Sequence, residues 1–239
     1  MEKIGFVGAF DKSNLIIYIS KILELMGKKV LVVDSTSMQK IKYIVPSINP
    51  TKSYITSFED IDFAVGFDSW EHIEQYLGIS FDTNEEDTED ETYEKKDMYD
   101  YVLIDVDSSE KVISFDIEEI EKKYFVTSFD LYSLRKGLSC FDNLEKNLNL
   151  TKILFSYEQS KDNEEYLDFI SLKYKVNWND YTLYFQIFGD DNKVFEDNQR
   201  TQKISYKRLG LNYKESHSYV IQDITRTNNI SQIKKLMKE

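Results

Sequence analysis

Four residue types are scarce in this chain of 239 residues, which has one cysteine, two histidines, two prolines and eight glycines. The lone Cys140 excludes a disulfide framework within the chain and fits a reducing cytoplasm. No zinc-binding pattern is present, so we expect His72 and His217 to be surface or packing residues. No apolar run approaches the length of about 18 residues that a membrane span needs, and the first residues show no signal-peptide pattern. These absences predict a cytoplasmic protein.

Basic residues are outnumbered, with 30 Lys and Arg against 43 Asp and Glu, which gives a net charge of −13. Because neutralising nucleic-acid phosphates requires a basic surface, this balance argues against nucleic-acid binding. Residues 82–97 are acidic, polar and without periodicity, which predicts a mobile loop. Among the charged residues of 200–239, basic residues outnumber acidic ones. The asymmetry fits either an acidic tether with a basic docking face or an ordinary solvated surface.

The remaining composition is that of a folded globule, with 41% hydrophobic and 14% aromatic residues. Many Lys, Asn, Ile, Tyr and Asp residues beside few Pro and Gly indicate an AT-rich bacterial genome. Apolar runs alternate with helical patterns along the chain, which is typical of a mainly parallel sheet covered on both faces. We therefore expect a single doubly wound α/β domain over residues 1–239, with three layers and about seven mainly parallel strands.

Periodicity and turn residues predict the individual elements. The expected strands are residues 4–8, 30–34, 43–46, 63–65, 101–105, 124–127, 152–155 and 182–188, the last taken as a central strand. The expected helices are residues 15–26 ending at Gly27, a helix capped by Ser69 and closed by Gly78, and residues 131–148. A short C-terminal helix at 230–238 has an apolar face opposite its lysines. It either docks on its own domain, which we favour, or reaches a membrane.

The first 34 residues have the layout of a P-loop βαβ unit, which is a strand, a tight loop with Lys12-Ser13, a helix and a strand ending in Asp34. A phosphate loop of the form GxxxxGK[ST] needs glycines, because they let backbone N–H groups converge on phosphate oxygens without Cβ clashes. Lys12 and Ser13 fit this template. Phe6 and Asp11 stand where the two glycines belong. The sequence thus predicts the architecture of the unit with a damaged phosphate loop.

Four stretches in this order resemble the MinD/ParA group of P-loop ATPases, whose members carry KGGVGKT, VLLID and DYIIID motifs. The matching stretches are residues 7–13 (VGAFDKS), 30–34 (VLVVD), 99–105 (YDYVLID) and 124–135 (YFVTSFDLYSLR). The resemblance covers most of the chain. It implies a P-loop NTPase-like fold with the motif loop at the carboxyl edge of the sheet.

The resemblance also implies roles for five residues. Gly8, Lys12 and Ser13 would bind the cofactor, with Lys12 neutralising charge on the β- and γ-phosphates. Ser13 and Asp105 would hold Mg²⁺, and Asp34 would orient the attacking water if the protein is active. Each position also has a structural interpretation. Lys12 and Ser13 would then begin a helix, and the two aspartates would start turns after buried strands.

Three departures from the family's pattern imply weak or absent ATP hydrolysis. The family's signature lysine, which reaches a partner's nucleotide across a dimer interface, is Val7 here. Asp11 adds a Cβ and a negative charge beside a polyphosphate. Ser156 and Tyr157 replace the adenine-contacting asparagine. The cofactors are therefore either ATP with Mg²⁺ or none.

These observations favour a degenerate ATPase-like domain that serves as a regulatory or scaffolding subunit of a bacterial cytoplasmic machine. The settings usual for the family are localisation, pilus or secretion assembly, and positioning. We expect protein partners, including a homodimer. One alternative is an active switch ATPase that dimerises around Mg-ATP, and a second is a DNA partition protein.

Overall fold

A computed structural model describes residues 1–46, 53–78, 98–156, 161–186 and 189–238. The loop predicted at 82–97 lies outside the described residues. Eight strands form one sheet with the order β3-β4-β2-β5-β1-β6-β7-β8. The strands are β1 (Glu2–Val7), β2 (Val30–Asp34), β3 (Tyr54–Phe58), β4 (Ile61–Val65), β5 (Tyr101–Val106), β6 (Lys122–Ser128), β7 (Leu148–Phe155) and β8 (Val176–Phe185).

Nine α-helices accompany these strands in the described part of the chain. They are α1 (Ser13–Leu25), α2 (Ile41–Ile44), α3 (Trp70–Tyr76), α4 (Ser109–Ser114), α5 (Leu131–Leu138), α6 (Lys161–Ser171), α7 (Gly189–Thr201), α8 (Leu211–Thr225) and α9 (Ile230–Leu236). Two short 3-10 turns, Ile117–Glu119 and Ser139–Phe141, complete the order.

The sheet is mainly parallel, as the alternation of apolar runs and helical patterns predicts. Every neighbouring pair is parallel except the hairpin of β3 and β4. One core cluster joins one face of the sheet to α1, α2, α7, α8 and α9, and a second joins the other face to α3, α4, α5 and α6. Every residue of the central strand β2 is buried, because helices cover both faces. The doubly wound, three-layer α/β fold is thereby confirmed.

Turn residues end two of the predicted helices as expected. Gly27 follows α1 with φ +78°, a left-handed conformation that glycine adopts without a Cβ clash. Ser69 caps α3, because its side chain accepts a hydrogen bond from the backbone N–H of His72 at 3.2 Å. Gly78, with φ +68°, closes that helix.

Three element predictions are wrong. Residues 43–46 do not form a strand, because the Asp34 carboxylate accepts the backbone N–H of Ile41 at 2.9 Å and begins the short helix α2 there. The helix predicted over 131–148 ends at Leu138, and Asn143, with φ +63°, lies in the turn that leads to β7. The last strand is an edge strand rather than a central one, since β8 pairs only with β7 among the described residues. Residues 187 and 188 lie outside the described part.

The C-terminal helix docks on its own domain, which was the favoured expectation. Ile233 and Met237 are fully buried in the core cluster that contains α1 and α8. Lys234 Nζ of α9 lies 3.0 Å from Glu215 Oε1 of α8. None of the helices in the described ranges has the length and apolar character that crossing a membrane would require.

Candidate functional site

The carboxyl ends of three neighbouring strands bring the predicted site residues together. β1 leads into the loop that carries Lys12 and Ser13, while β2 ends in Asp34 and β5 contains Asp105. Asp34 and Asp105 are register partners on adjacent parallel strands. This edge of an open α/β sheet is where ligands generally bind in such folds.

Gly8 is required by the backbone itself. Its φ is +140°, and a Cβ added there would lie 2.3 Å from the carbonyl oxygen of Val126 on β6. Its N–H donates to the carbonyl oxygen of Val106 at 3.1 Å. A glycine is therefore needed for the close approach of the loop to the sheet, whether or not a ligand binds.

The Lys12 side chain is 2% exposed and is bonded to the protein's own groups. Its Nζ lies 2.9 Å from Asp105 Oδ1 and donates to the carbonyl oxygens of Phe10, at 3.2 Å, and of Gly8. These three oxygens match the three N–H donors of an ammonium group. In this arrangement Lys12 has no donor left for a phosphate.

Asp105 is buried beneath the loop, and its Oδ1 contacts only Lys12 among the described residues. Burial raises the pKa of Asp105 to about 7, although the charge of Lys12 opposes the shift. The neighbouring Asp34 carboxylate adds to the increase. Neutralising Lys12 is therefore the evident task of Asp105 in this arrangement.

Asp11 supplies an internal anion at the start of α1. Its Oδ1 accepts the backbone N–H of Ser13 at 3.0 Å, and its Oδ2 forms an ion pair with Lys40. Helix N-termini attract anions because their first N–H groups lack partners within the helix. Partial burial acts to raise the pKa of Asp11, but Lys40 and the Ser13 amide hold it below the usual range. The carboxylate therefore occupies a backbone N–H at the N-terminus of α1, which is the kind of group that binds phosphate in a phosphate loop.

Asp34 is bound to the segment that follows it. Its Oδ1 accepts from Thr36 Oγ1 at 2.6 Å and from the Thr36 N–H at 3.1 Å. Its Oδ2 accepts from the Ile41 N–H. Burial raises the pKa of Asp34, although these hydrogen bonds oppose the shift. The side chain thus has the geometry of a turn and helix cap, and shapes the loop between β2 and α2.

Aromatic rings fill the neighbouring part of the edge. Phe10 stacks on Phe155 with centroids 4.6 Å apart, and Phe155 stacks on Phe185 at 4.9 Å. Phe155 ends β7, directly before Ser156, which stands in place of the asparagine of the family's pattern. Phe6 lies within β1 and stacks on Tyr124 in the core at 5.3 Å, so its side chain does not enter the loop.

An open cleft of about 180 Å³ lies over these residues, which is smaller than the usual range of about 300–1,000 Å³ for ligand pockets. Its lining includes three residues that sequence reasoning missed, Thr36, Lys40 and Asp107. The Asp34-x-Thr36 spacing is a recognisable turn pattern. Nothing local marks Lys40, which lies 29 residues from Asp11. In the described residues no group of three or more His, Cys, Asp or Glu side chains is arranged to hold a metal ion.

Solved structures with the same architecture are ATPases and partition proteins. The MinD cell division protein of Aquifex aeolicus is 12% identical, with a TM-score of 0.60 over 95% of this chain and 98% of that one. The chain has the MinD/ParA fold. A ParA family ATPase from Chlorobium tepidum is 13% identical, with a TM-score of 0.52 over 98% and 96% of the two chains.

A third structure with the MinD/ParA fold carries a nucleotide analogue. It is a putative plasmid partition protein from Borrelia burgdorferi B31 bound to AMPPNP, which is 14% identical, with a TM-score of 0.57 over 94% of this chain and 98% of that one. Comparison with protein-family models gave no match, and neither did comparison with curated proteins. At these identities the likeness establishes the MinD/ParA fold, and function must be argued from the site.

Proposed function

We propose that this chain is a degenerate relative of the MinD/ParA ATPases, with weak or absent ATP hydrolysis. It acts as a regulatory or scaffolding subunit of a bacterial cytoplasmic machine, as a single domain over residues 1–239. The observation that carries the proposal is the Asp11 carboxylate, which accepts the Ser13 N–H at the start of α1. The protein's own anion takes the place of a phosphate.

Mg-ATP does not fit the site as it is arranged. Lys12, Ser13 and Asp105 are residue types that bind phosphate and magnesium in P-loop proteins. However, a polyphosphate at α1 would meet the negative charge of Asp11, and a pair of like charges 4 Å apart repels by about 4 kcal/mol near a protein surface. Lys12 is also already bonded to three oxygens. We therefore derive no catalytic step through a nucleotide.

A scaffolding role agrees with a site that the protein's own side chains stabilise. Neither Asp34 nor Lys12 depends on a ligand for its partners, so the carboxyl edge of the sheet has a defined shape without nucleotide. The Aquifex MinD structure has also been solved as a MinC:MinD complex. By analogy we propose protein partners for this chain, in localisation, pilus or secretion assembly, or positioning.

Isothermal titration with ATP and a non-hydrolysable analogue, with and without Mg²⁺, tests the proposal. We expect no heat of binding at millimolar nucleotide. Binding tighter than about 100 μM, or roughly −5.5 kcal/mol, that is lost in a Lys12→Ala variant shown by circular dichroism to be folded would contradict it. Lys28→Ala is the matched control, because Lys28 is a surface lysine paired with Asp100.

One observation favours the switch ATPase as a second candidate. Lys40 lines the cleft and pairs with Asp11 through side chains that are 42% and 47% exposed, so the pair can separate at low cost. Lys40 would then supply the positive charge of the family's signature lysine, whose position is taken here by the fully buried Val7. The DNA partition reading has less support. Many basic residues of 200–239 have acidic partners in the same chain, as Arg200, Arg208, Arg226 and Lys234 do.

A further inference from the structure

Helix α6 turns two carboxylates toward the sheet beside its buried apolar residue Leu167. On the side facing the sheet, Glu164 accepts hydrogen bonds from Thr182 Oγ1 at 2.6 Å and from the hydroxyl of Tyr184. Asp168 Oδ1 lies 2.7 Å from Lys152 Nζ on β7. Two carboxylates therefore fix the helix to β7 and β8, whereas a surface helix ordinarily turns its charges to solvent.

The outward side of α6 is apolar at its centre. Tyr166, Phe169 and Leu172 are 42%, 70% and 78% exposed. Their spacing of three residues puts them on one side of the helix and of the turn that follows it. Large apolar side chains exposed singly are normal, whereas exposed apolar side chains that are neighbours form the kind of patch that interaction sites use.

The stripe is flanked by opposite charges at equal distances from its middle residue. Glu165 precedes Phe169 by four residues, and Lys173 follows it by four; both are exposed. Tyr166 and Leu172 are likewise three residues before and three after Phe169. α6 ends at Ser171, and Leu172 and Lys173 lie in the turn that follows it. If a second copy of α6 and this turn is laid antiparallel on the first, with the two-fold axis at Phe169, each Glu165 lies level with the other copy's Lys173. Tyr166 then faces Leu172, and Phe169 meets its own copy.

We propose that the outward face of α6 and of the turn after it (Glu165, Tyr166, Phe169, Leu172 and Lys173) is a docking surface for a second copy of this chain. Two-fold interfaces are self-complementary, because the same patch serves both subunits. This face satisfies that condition in both charge and apolar character. The contact lies at the β8 edge of the sheet, away from the cleft over Lys12, and it needs no nucleotide. Its success or failure is thus separate from that of the proposed function.

A patch of this size predicts a weak dimer, because interfaces that bury less than about 1,200 Å² in total are generally transient. Sedimentation velocity of the full chain without nucleotide, from about 1 to 300 μM, should show a monomer–dimer equilibrium. Phe169→Glu should leave monomer throughout, and it should fold, because the side chain is largely exposed. Tyr132→Glu, at an exposed position on α5 at the carboxyl edge, should leave the equilibrium unchanged.

Charge reversal separates this antiparallel contact from general stickiness. Glu165→Lys places two lysines opposite each other at both ends of the interface, and Lys173→Glu places two glutamates there. Each single variant should weaken dimerisation about tenfold, since each changes two ion pairs. The double variant restores opposite charges and should recover the original dissociation constant.

Cross-linking tests the position of the two-fold axis. Phe169→Cys should give a disulfide-linked dimer when two thiols are oxidised by copper phenanthroline and oxygen, with loss of two protons and two electrons. Leu211→Cys, at a position on α8 that is more exposed than Phe169, should not cross-link. A chain that is monomeric at every concentration would overturn the proposal. So would a dimer that survives Phe169→Glu or is lost in Tyr132→Glu.

Discussion

The ammonium of Lys12 lies 2.9 Å from the carboxylate of Asp105, and both side chains are almost completely excluded from solvent. A buried ion pair is worth little relative to apolar residues, but breaking it leaves an uncompensated charge. The pair therefore makes the centre of the site depend on both residues for folding, quite apart from any ligand.

Lys12→Ala should destabilise the protein by about 3–5 kcal/mol, because Asp105 loses its partner. Urea denaturation at neutral pH measures the change in the free energy of unfolding. Lys28→Ala, at an exposed pair, should cost less than about 1 kcal/mol. Adding Asp105→Asn to Lys12→Ala should recover part of the loss. If the single and double variants were equally unstable, the ion pair would not be the cause.

His217 should make the protein sensitive to acid. It is fully buried among aromatic rings, and burial lowers its pKa from 6.5 to about 3. The Tyr206 hydroxyl donates its proton to the Tyr18 carbonyl oxygen at 2.7 Å, so His217 Nδ1 donates to Tyr206 at 2.9 Å. The neutral tautomer thus leaves Nε2 bare and without a partner among the described residues.

The unfolded chain binds a proton at His217 below pH 6.5, whereas the folded chain does so only near pH 3. Stability contributed by the neutral ring should therefore be lost as pH falls across that window, by up to about 1.4 kcal/mol per pH unit. His217→Phe should flatten the acid limb of a plot of unfolding free energy against pH. If the slope of unfolding free energy against pH is unchanged in this variant, His217 is not the cause of the acid sensitivity.

Asp105 should make the protein less stable as pH rises, which is the opposite of the effect of His217. Its folded pKa of about 7 exceeds the ordinary value of 3.8, so the folded state holds a proton that the unfolded state releases. The stability from this proton is present in full below about pH 4 and is lost as pH rises through about 7. Asp105→Asn should remove this component. In this variant, the plot of unfolding free energy against pH should no longer decline between about pH 4 and pH 7.

Removing the internal anion should open the phosphate site. Asp11→Gly supplies the glycine that a phosphate loop requires and releases Lys40 from its pair. We expect ATP affinity to rise at least tenfold, or about 1.4 kcal/mol, in isothermal titration. Asp11→Asn keeps a side-chain oxygen that accepts the Ser13 N–H but removes the negative charge. Comparing it with Asp11→Gly separates the effect of charge repulsion on ATP affinity from the effect of a more flexible loop backbone. If neither variant binds nucleotide better than the original chain, Asp11 is not what blocks the site.

Gly8→Ala should destabilise the fold by more than about 2 kcal/mol. The new Cβ would lie 2.3 Å from the Val126 carbonyl oxygen at a φ of +140°. Thermal unfolding compares it with Gly189→Ala, where a Cβ meets nothing within 4 Å in the described part of the chain. Similar melting temperatures for the two variants would contradict the steric argument.

The sequence predicted the fold because local patterns encode buried strands directly. Residues 30–33 of β2 are apolar because both faces of the sheet are covered. The order of the motifs likewise placed Lys12, Asp34 and Asp105 at one edge.

Contacts between distant residues were not predictable. Asp11 and Lys40 pair across 29 residues, and no periodicity reports such a partner. Residues 43–46 looked like a strand from their apolar side chains, but a cap from Asp34 decided their conformation. The outward direction of Phe169 depends on where Glu164 and Asp168 find partners on the sheet, which only the three-dimensional structure reveals.

The hydrogen bonds of Asp34 bear on how such sequences are classified. Its carboxylate holds Thr36 and Ile41 in place, so a chain that had lost all catalytic function would still need an aspartate there in order to fold. Selection for a stable protein would then preserve the acidic signature of an ATPase long after hydrolysis had ceased. A motif search that counts this aspartate as catalytic would assign enzymatic activity to pseudoenzymes of this architecture.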